Sequence, residues 1–362
     1  MKRIDLVVGA RPNFIKAFPV YRALERTGQF SLRLINTGQH YDENMVAVFF
    51  EQLKMKEPDI NLGIGSGRHG EQTARILDEI EREFLSIKPD LVILFGDVNS
   101  TLSVALAAAK LNIPVAHVEA GLRSFDRSMP EEINRVLTDQ ISDFLFITSP
   151  EAEGNLLKEG KDKDQIHFVG NTMIDSLIQF EPLFNGTNIK DKYGLKNKDY
   201  ILITLHRPSN VDDPTNLEQL IASLNKVAKI APCLWPVHPR SREKIETISA
   251  KTHDRLLMTD PLGYLEFMGL QRDASAVITD SGGIQEESTF LGVPCLTVRD
   301  NTERPITIEQ GTNRLVGTDY SNIPGAVKEA IVKKSKPIIP ELWDGKSSER
   351  IVNVLLRHQF LG

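Results

Sequence analysis

Thr279-Asp280-Ser281-Gly282-Gly283-Ile284-Gln285-Glu286-Glu287 follows Ala276-Val277-Ile278, a short apolar run with β-branched residues. Such a run reads as a buried parallel strand, and Ile284 to Leu291 reads as the helix it feeds. Strand, glycine turn and helix in succession point to an α/β fold. Ser281, Gly282 and Gly283 let backbone N–H groups approach an anion, and the helix N-terminus adds a positive partial charge. The loop carries no Lys, and Glu286 and Glu287 fall one turn inside, suited to ribose hydroxyls rather than phosphate. Two readings stand: a nucleotide diphosphate held on the helix terminus, or a plain connection whose glycines only make a tight turn.

The same rhythm runs through the first half. Ile4–Gly9, Ser31–Thr37, Asp90–Phe95, Pro114–Val118 and Phe144–Ile147 read as strands. Between and after them Asn13–Arg26, Asn44–Leu53, Gly70–Ile87, Ser100–Leu111, Glu131–Ser142 and Pro150–Lys158 read as helices. Asn171–Phe184 is helical, and Asn185 to Asp199 reads as a charged linker. A second alternation places strands at Tyr200–Leu205, Cys233–Val237, Leu256–Thr259, Ala276–Thr279 and Val293–Val298, and Ser347–His358 is an amphipathic helix. Two doubly wound domains with a cleft between them are expected, with ligands at the carboxyl ends of the strands. The expected division is 1–175, 176–345, and a C-terminal helix at 346–362 returning to the first domain.

Composition agrees with this frame. A chain of 362 residues exceeds what one core usually supports. The net charge of −6 argues against nucleic-acid or membrane-surface partners. A phosphate-bearing ligand therefore needs a local positive site. Cys233 and Cys295 have no metal-ligand spacing and read as buried thiols of a reducing compartment. The apolar run at Ile4 to Val8 is too short for a signal peptide, and no stretch approaches the roughly 18 apolar residues of a membrane span. A cytoplasmic location is expected.

Gly65-Ser66-Gly67-Arg68-His69-Gly70 matches the dinucleotide fingerprint literally, but Asp59 to Ile64 is a poor strand. No acidic residue ends a following strand about 20 residues on, where ribose recognition needs it. The fingerprint is rejected, and with it the argument for NAD. Polar residues instead follow strand after strand. Arg11 and Lys16 open the first helix as candidate phosphate cations. Asp97 follows the third strand and Glu119 the fourth, with Glu131 and Glu132 beginning the helix after them. Taken singly these are caps and first-turn acids. Taken together, carboxylates from three adjacent connections should repel and drive one pKa into the acid/base range. His206-Arg207 and His238 repeat the pattern in the second half, and Arg299 and Arg304 lie near the proposed phosphate site.

These residues together resemble the UDP-N-acetylglucosamine 2-epimerase family. The resemblance rests on Gly9-Ala10-Arg11-Pro12 with Lys16, Gly96-Asp97, His117-Val118-Glu119-Ala120-Gly121-Leu122-Arg123, Pro130-Glu131-Glu132-Ile133-Asn134-Arg135, Gly170-Asn171-Thr172, His206-Arg207, Asp280 to Glu287, and Thr302-Glu303-Arg304-Pro305. It implies an α/β, GT-B-like architecture of two Rossmann-like domains and a homodimer acting on a UDP-sugar without redox cofactor or metal. The implied chemistry eliminates UDP to give 2-acetamidoglucal, then adds it back with a proton on the other face of C2. The implied acid/base set is Asp97, Glu119 and Glu131, with His206, Arg11 and Lys16 on the leaving phosphate. Ser281, Gly282 and Gly283 are implied on phosphate, Glu287 on ribose, Arg304 nearby and Phe267 beside uracil. Arg123, Arg135 and His238 complete the implied substrate contacts.

Well-known bacterial members carry Gly-Thr-Arg-Pro-Glu, Gln-His-Arg and His-Arg-Arg-Glu. This chain has Gly9-Ala10-Arg11-Pro12-Asn13, Gln39-His40-Tyr41-Asp42 and His206-Arg207-Pro208-Ser209. The last two regions serve activation by a second substrate molecule in those enzymes. The departures leave room for the branch that epimerises UDP-2,3-diacetamido-glucuronate. A hydrolysing 2-epimerase and a UDP-sugar glycosyltransferase are also compatible with these residues.

Overall fold

The computed structural model describes residues 1–39, 55–237, 239–247, 252–332 and 338–358. It divides into two compact units, residues 1–179 with 341–362, and residues 180–340. The helix expected at Asn44–Leu53 lies outside the described residues, as does His238.

The first unit is built on strands β1 (Lys2–Val8), β2 (Phe30–Asn36), β3 (Ile60–Asn61), β4 (Leu91–Phe95), β5 (Val115–Val118), β6 (Phe144–Ile147) and β7 (Ile166–Phe168). They form one sheet in the order β3-β2-β1-β4-β5-β6-β7, and every neighbouring pair is parallel. Helices cover it, as parallel strands buried on both faces require. All five residues of β4 are buried, which is why Leu91-Val92-Ile93-Leu94-Phe95 is apolar without alternation. Each such side chain contributes about 1.5–3 kcal/mol by leaving water. The chain runs outward from β1 to β3 and then crosses back to β4, so strand order reverses between β1 and β4.

The Ser347–His358 helix belongs to this unit and packs on the Arg11–Thr27 helix through a face that includes buried Ile351, Val352 and Leu355. Asp175 caps its start, accepting from the backbone N–H of Ser347 at 3.1 Å and Ser348 at 2.7 Å. Such a cap is worth about 1 kcal/mol. Gly170, at φ +89°, leaves room for this turn. A Cβ there would stand 2.1 Å from the Leu342 carbonyl oxygen.

The second unit carries β8 (Ile201–Thr204), β9 (Cys233–Pro236), β10 (Leu256–Thr259), β11 (Ala276–Thr279), β12 (Cys295–Thr297) and β13 (Asn313–Leu315), in the order β10-β9-β8-β11-β12-β13. Here the order reverses between β8 and β11, which pair in register from Ala276 opposite Ile201 to Thr279 opposite Thr204. Both cysteines are buried, and burial pushes each thiol up to about 12, so both stay protonated.

Three sequence expectations change. Asn185 to Asp199 is no linker: Ile189–Lys192 is a short helix, and Ile189 is buried against Tyr200 and Leu202 in the second unit's core. The units divide inside the Thr172–Asn185 helix instead. β3, β7 and β13 were not expected. They are two or three residues long, too short for a period-2 pattern. Among the described residues no helix is long and apolar enough to cross a membrane.

Candidate active site

In open α/β sheets ligands gather beyond the carboxyl ends of the strands where strand order reverses. In the first unit that point is the β1/β4 boundary. Asn13 ties the two strands' ends together. Its Oδ1 accepts from the Ala10 N–H at 3.0 Å, and its Nδ2 donates to the Phe95 carbonyl at 2.8 Å. One turn further along the helix, Lys16 reaches Glu119, which follows β5. The two side chains are 8% and 2% exposed and form a buried ion pair. Gly96, at φ +68°, makes space for it, since a Cβ there would lie 3.3 Å from Lys16 Nζ and 3.4 Å from Glu119 Oε2. Glu119 itself sits at φ +74°, a left-handed conformation uncommon for a residue with a side chain. Such a residue costs on the order of 1–3 kcal/mol, so the surroundings must impose it.

Asp97, next to Gly96, is held from the Pro130–Ile141 helix. Arg135 Nε and Nη2 lie 2.9 and 2.7 Å from its Oδ2, and Asn134 Nδ2 donates to its backbone carbonyl at 2.9 Å. Arg135 also pairs with Glu132, whose carboxylate accepts the N–H of Ser124 at 3.0 Å and of Phe125 at 2.8 Å. Glu131 stands half-buried in the first turn of the same helix, and Arg11 half-buried at the start of its own.

Beneath these groups lies a second, fully buried layer. His117 Nδ1 is 2.6 Å from Asp139 Oδ1, and Nε2 is 2.8 Å from the Gly96 carbonyl oxygen. Asp139 Oδ2 accepts from the Gly121 N–H at 3.0 Å and lies 2.7 Å from Arg123 Nη2. Burial alone would raise the Asp139 pKa, but His117, Arg123 and the Gly121 N–H reverse that and hold it below the usual carboxylate range. Burial likewise opposes the Arg123 charge, and Glu159 and Asp139 outweigh it. This layer fastens the Gly96 turn and the Glu119–Arg123 loop to one helix.

The two arginines expected on substrate have protein partners here. Arg123 is paired within the protein. It is 3% exposed and spends its fork on Glu159, at 2.8 and 2.6 Å, and on Asp139. Arg135, equally buried, pairs with Asp97 and Glu132. The carboxylates are not a bare repelling set, since Asp97 and Glu119 each carry a cation. The rejected Gly65 to Gly70 fingerprint does follow a strand, Ile60–Asn61, but that strand is the sheet edge, away from the reversal.

In the second unit the reversal is at β8/β11. Ser281 precedes the Gly282–Leu291 helix as its N-cap residue, so the first-turn N–H groups open beside Gly282 and Gly283. A Cβ on Gly282 would stand 2.4 Å from Arg304 Nη1 and 2.6 Å from Glu303 Oε1. Arg304 Nε is 2.9 Å from Glu286 Oε1, Nη1 pairs with Glu303, and Arg299 Nη2 donates to Glu303 at 2.7 Å. All four charged groups are buried. Arg304 thus lies under the turn, its charge met by Glu286 and Glu303. Glu287 is buried and accepts from the Tyr264 hydroxyl at 3.5 Å. Phe267 is half-buried against the cluster containing Leu202 and Val277.

His206, directly after β8 and Leu205, is 55% exposed with Nδ1 3.2 Å from Asp280 Oδ1. Asp280, fully buried, also accepts from the N–H groups of His206 and Arg207. Within the glycine motif the sequence gives Asp280 no role of its own. Its position one residue past β11 is the signal, the same edge position that singled out Glu119. Among the described residues no group of three or more His, Cys, Asp or Glu is placed to hold a metal ion.

The family profile described as UDP-N-acetylglucosamine 2-epimerase matches residues 22–356. The chain is 46% identical over 364 residues to the UDP-N-acetylglucosamine 2-epimerase of Methanococcus maripaludis, covering 98% of each. It is 43% identical over 357 residues to the UDP-2,3-diacetamido-2,3-dideoxy-D-glucuronate 2-epimerase of Pseudomonas aeruginosa, covering 98% of this chain and 99% of the other. The crystal structure of Methanocaldococcus jannaschii UDP-GlcNAc 2-epimerase in complex with UDP-GlcNAc and UDP matches with a TM-score of 0.90 at 44% identity, over 98% of this chain and 99% of that one. The fold class is the GT-B-like pair of Rossmann-like domains. The chain belongs to the UDP-N-acetylglucosamine 2-epimerase family.

Proposed function

We propose that this enzyme interconverts UDP-N-acetylglucosamine and UDP-N-acetylmannosamine by eliminating UDP and adding it back. One observation carries the reading. Two carboxylates, Asp97 and Glu119, stand past the ends of neighbouring strands β4 and β5, each seated against a buried cation. The C2 proton of the sugar is not acidic, so it leaves only as the C1–O bond to the diphosphate breaks, and its electron pair becomes the C1–C2 double bond. Re-addition returns a proton to the other face of C2 and forms the C1–O bond again. That sequence needs groups that accept and return protons, here Asp97, Glu119 and Glu131.

The second unit supplies the leaving-group chemistry. Ser281, Gly282 and Gly283 offer backbone N–H groups to the diphosphate, Glu287 serves ribose and Phe267 the uracil. His206 meets the departing diphosphate, where each charge-assisted contact is worth about 3 kcal/mol in the transition state. In the first unit Lys16 works through Glu119, and Arg11 is the cation assigned to substrate. The route uses neither redox cofactor nor metal. A homodimer in the cytoplasm belongs to the same reading, and sedimentation velocity tests its first part. A diacetamido-glucuronate substrate is the second reading, favoured by the 43% identical relative.

Incubation with each UDP-sugar, followed by anion-exchange separation, decides among these. A new UDP-hexosamine from UDP-N-acetylglucosamine supports the proposal, and turnover of only the uronate supports the second reading. Free N-acetylmannosamine with stoichiometric UDP would replace both with hydrolysis.

A further inference from the structure

We propose that Asp280 is a positioning residue that fixes the imidazole of His206 with its Nδ1–H on the carboxylate and Nε2 on the outward edge. The placement of Nε2 toward the leaving diphosphate rests on the function proposed above, while the ring's tautomer rests on geometry alone.

The geometry begins in the sheet. β8 and β11 are neighbours in register, so Asp280, one residue past Thr279, lies beside the turn that starts at Leu205. That turn is wrapped around the carboxylate. Oδ2 accepts from the backbone N–H of His206 at 3.0 Å, from the N–H of Arg207 at 2.9 Å and from Asn210 Nδ2 at 2.9 Å. Asn210 is oriented in turn by the Tyr320 hydroxyl, which donates to its Oδ1 at 3.2 Å. Tyr320, Asn210 and Asp280 are all buried. The His206 N–H also reaches Oδ1 at 3.2 Å, and Oδ1 is the oxygen turned to the ring, 3.2 Å from Nδ1.

A carboxylate that receives only donors sets the tautomer of the histidine beside it. Nδ1 must carry a proton, so Nε2 is the nitrogen that gains or releases one. When Nε2 is protonated, the buried carboxylate stabilises the imidazolium. No covalent step falls to His206: its Nε2–H hydrogen-bonds the diphosphate oxygen on which charge gathers as the C1–O bond breaks.

Asp280→Asn tests this sharply because one sense of the amide is favoured, Oδ2 receiving three donors and Oδ1 sharing only one of them. Its oxygen takes the place of Oδ2, where three donors converge, so its NH2 replaces Oδ1 and faces Nδ1. A donor there forces the neutral ring into the Nε2–H tautomer and opposes a second proton on Nδ1, so the variant offers the diphosphate an uncharged Nε2–H in place of the charged donor that the carboxylate supports. The readout is the long-range proton–nitrogen correlation spectrum of the full-length protein above the imidazole titration, with the His206 signals identified by their loss in His206→Asn.

The wild type is expected in the Nδ1–H form and Asp280→Asn in the Nε2–H form. For the variant, kcat should drop on the order of a hundredfold while KM and UDP affinity change little. His206→Asn added to Asp280→Asn should cost little more, because the two act as a unit. A wild-type ring in the Nε2–H form overturns the proposal, and this result needs no variant to fold. An unchanged tautomer in folded Asp280→Asn overturns it as well. A switched tautomer with full kcat keeps the positioning role and overturns the assignment of His206 to the diphosphate.

Discussion

The β1/β4 boundary of the first unit and the β8/β11 boundary of the second are the same topological device put to opposite electrostatic use. At β1/β4 two carboxylates are each held by a buried cation, Glu119 by Lys16 and Asp97 by Arg135. At β8/β11 the side-chain charges lie beneath the turn and cancel, Arg299 and Arg304 against Glu286 and Glu303. Beside His206, what that second boundary presents is backbone N–H, from Gly282 and Gly283. A group that must exchange protons needs a titratable side chain held by a partner. A group that must receive a diphosphate needs fixed dipoles that a neutral support leaves undisturbed. The comparison teaches that strand topology chooses where chemistry occurs, and the local charge arrangement chooses which chemistry.

Four changes can break or sharpen this contrast. The largest effect is expected from Asp97→Asn. Turnover should fall roughly a hundred- to ten-thousandfold, while calorimetric titration with UDP stays close to wild type. Full activity would remove Asp97 from the chemistry. Next is Lys16→Met, which leaves Glu119 buried without its cation and should cost about 3–5 kcal/mol in urea unfolding. Adding Glu119→Gln should recover much of that stability without restoring turnover, which separates the pair's structural from its chemical role.

Gly282→Ala probes the other boundary. Its methyl group meets Arg304 and Glu303 at 2.4 and 2.6 Å, so about 1–3 kcal/mol of overpacking is expected, with UDP affinity down roughly tenfold. Asp97 chemistry should survive at saturating substrate. The smallest effect concerns Asp139. Its folded-state pKa is depressed, so the stability it contributes is full above the ordinary carboxylate range and is lost as pH falls through that range and then through the folded value. Asp139→Asn should flatten the dependence of stability on pH between about pH 5 and pH 2, read by urea midpoints.

Much of this arrangement was legible in the chain. Continuous apolar runs such as Leu91 to Phe95 and Ala276 to Ile278 announce parallel strands, and the polar residue just past each run marks the carboxyl edge. The edge strands β3, β7 and β13 were not legible, because two or three residues carry no period. Partnership was not legible either. Spacing along the chain cannot reveal that Arg123 meets Glu159, 36 residues on, or that Arg135 meets Asp97, 38 residues back. Glu119 was singled out by its place after β5, but its left-handed backbone is a property of the packed loop. Asp280 was in plain sight within the glycine motif, and only the pairing of β8 with β11 shows what its carboxylate holds.

The central claim is that the C2 proton leaves and returns while UDP departs and adds back. Proton NMR of UDP-N-acetylglucosamine incubated with the protein in D2O tests it most directly. The account predicts a manno-configured UDP-sugar carrying deuterium at C2. An epimerised product that keeps its C2 proton, or a product with a new glycosidic bond, would contradict it.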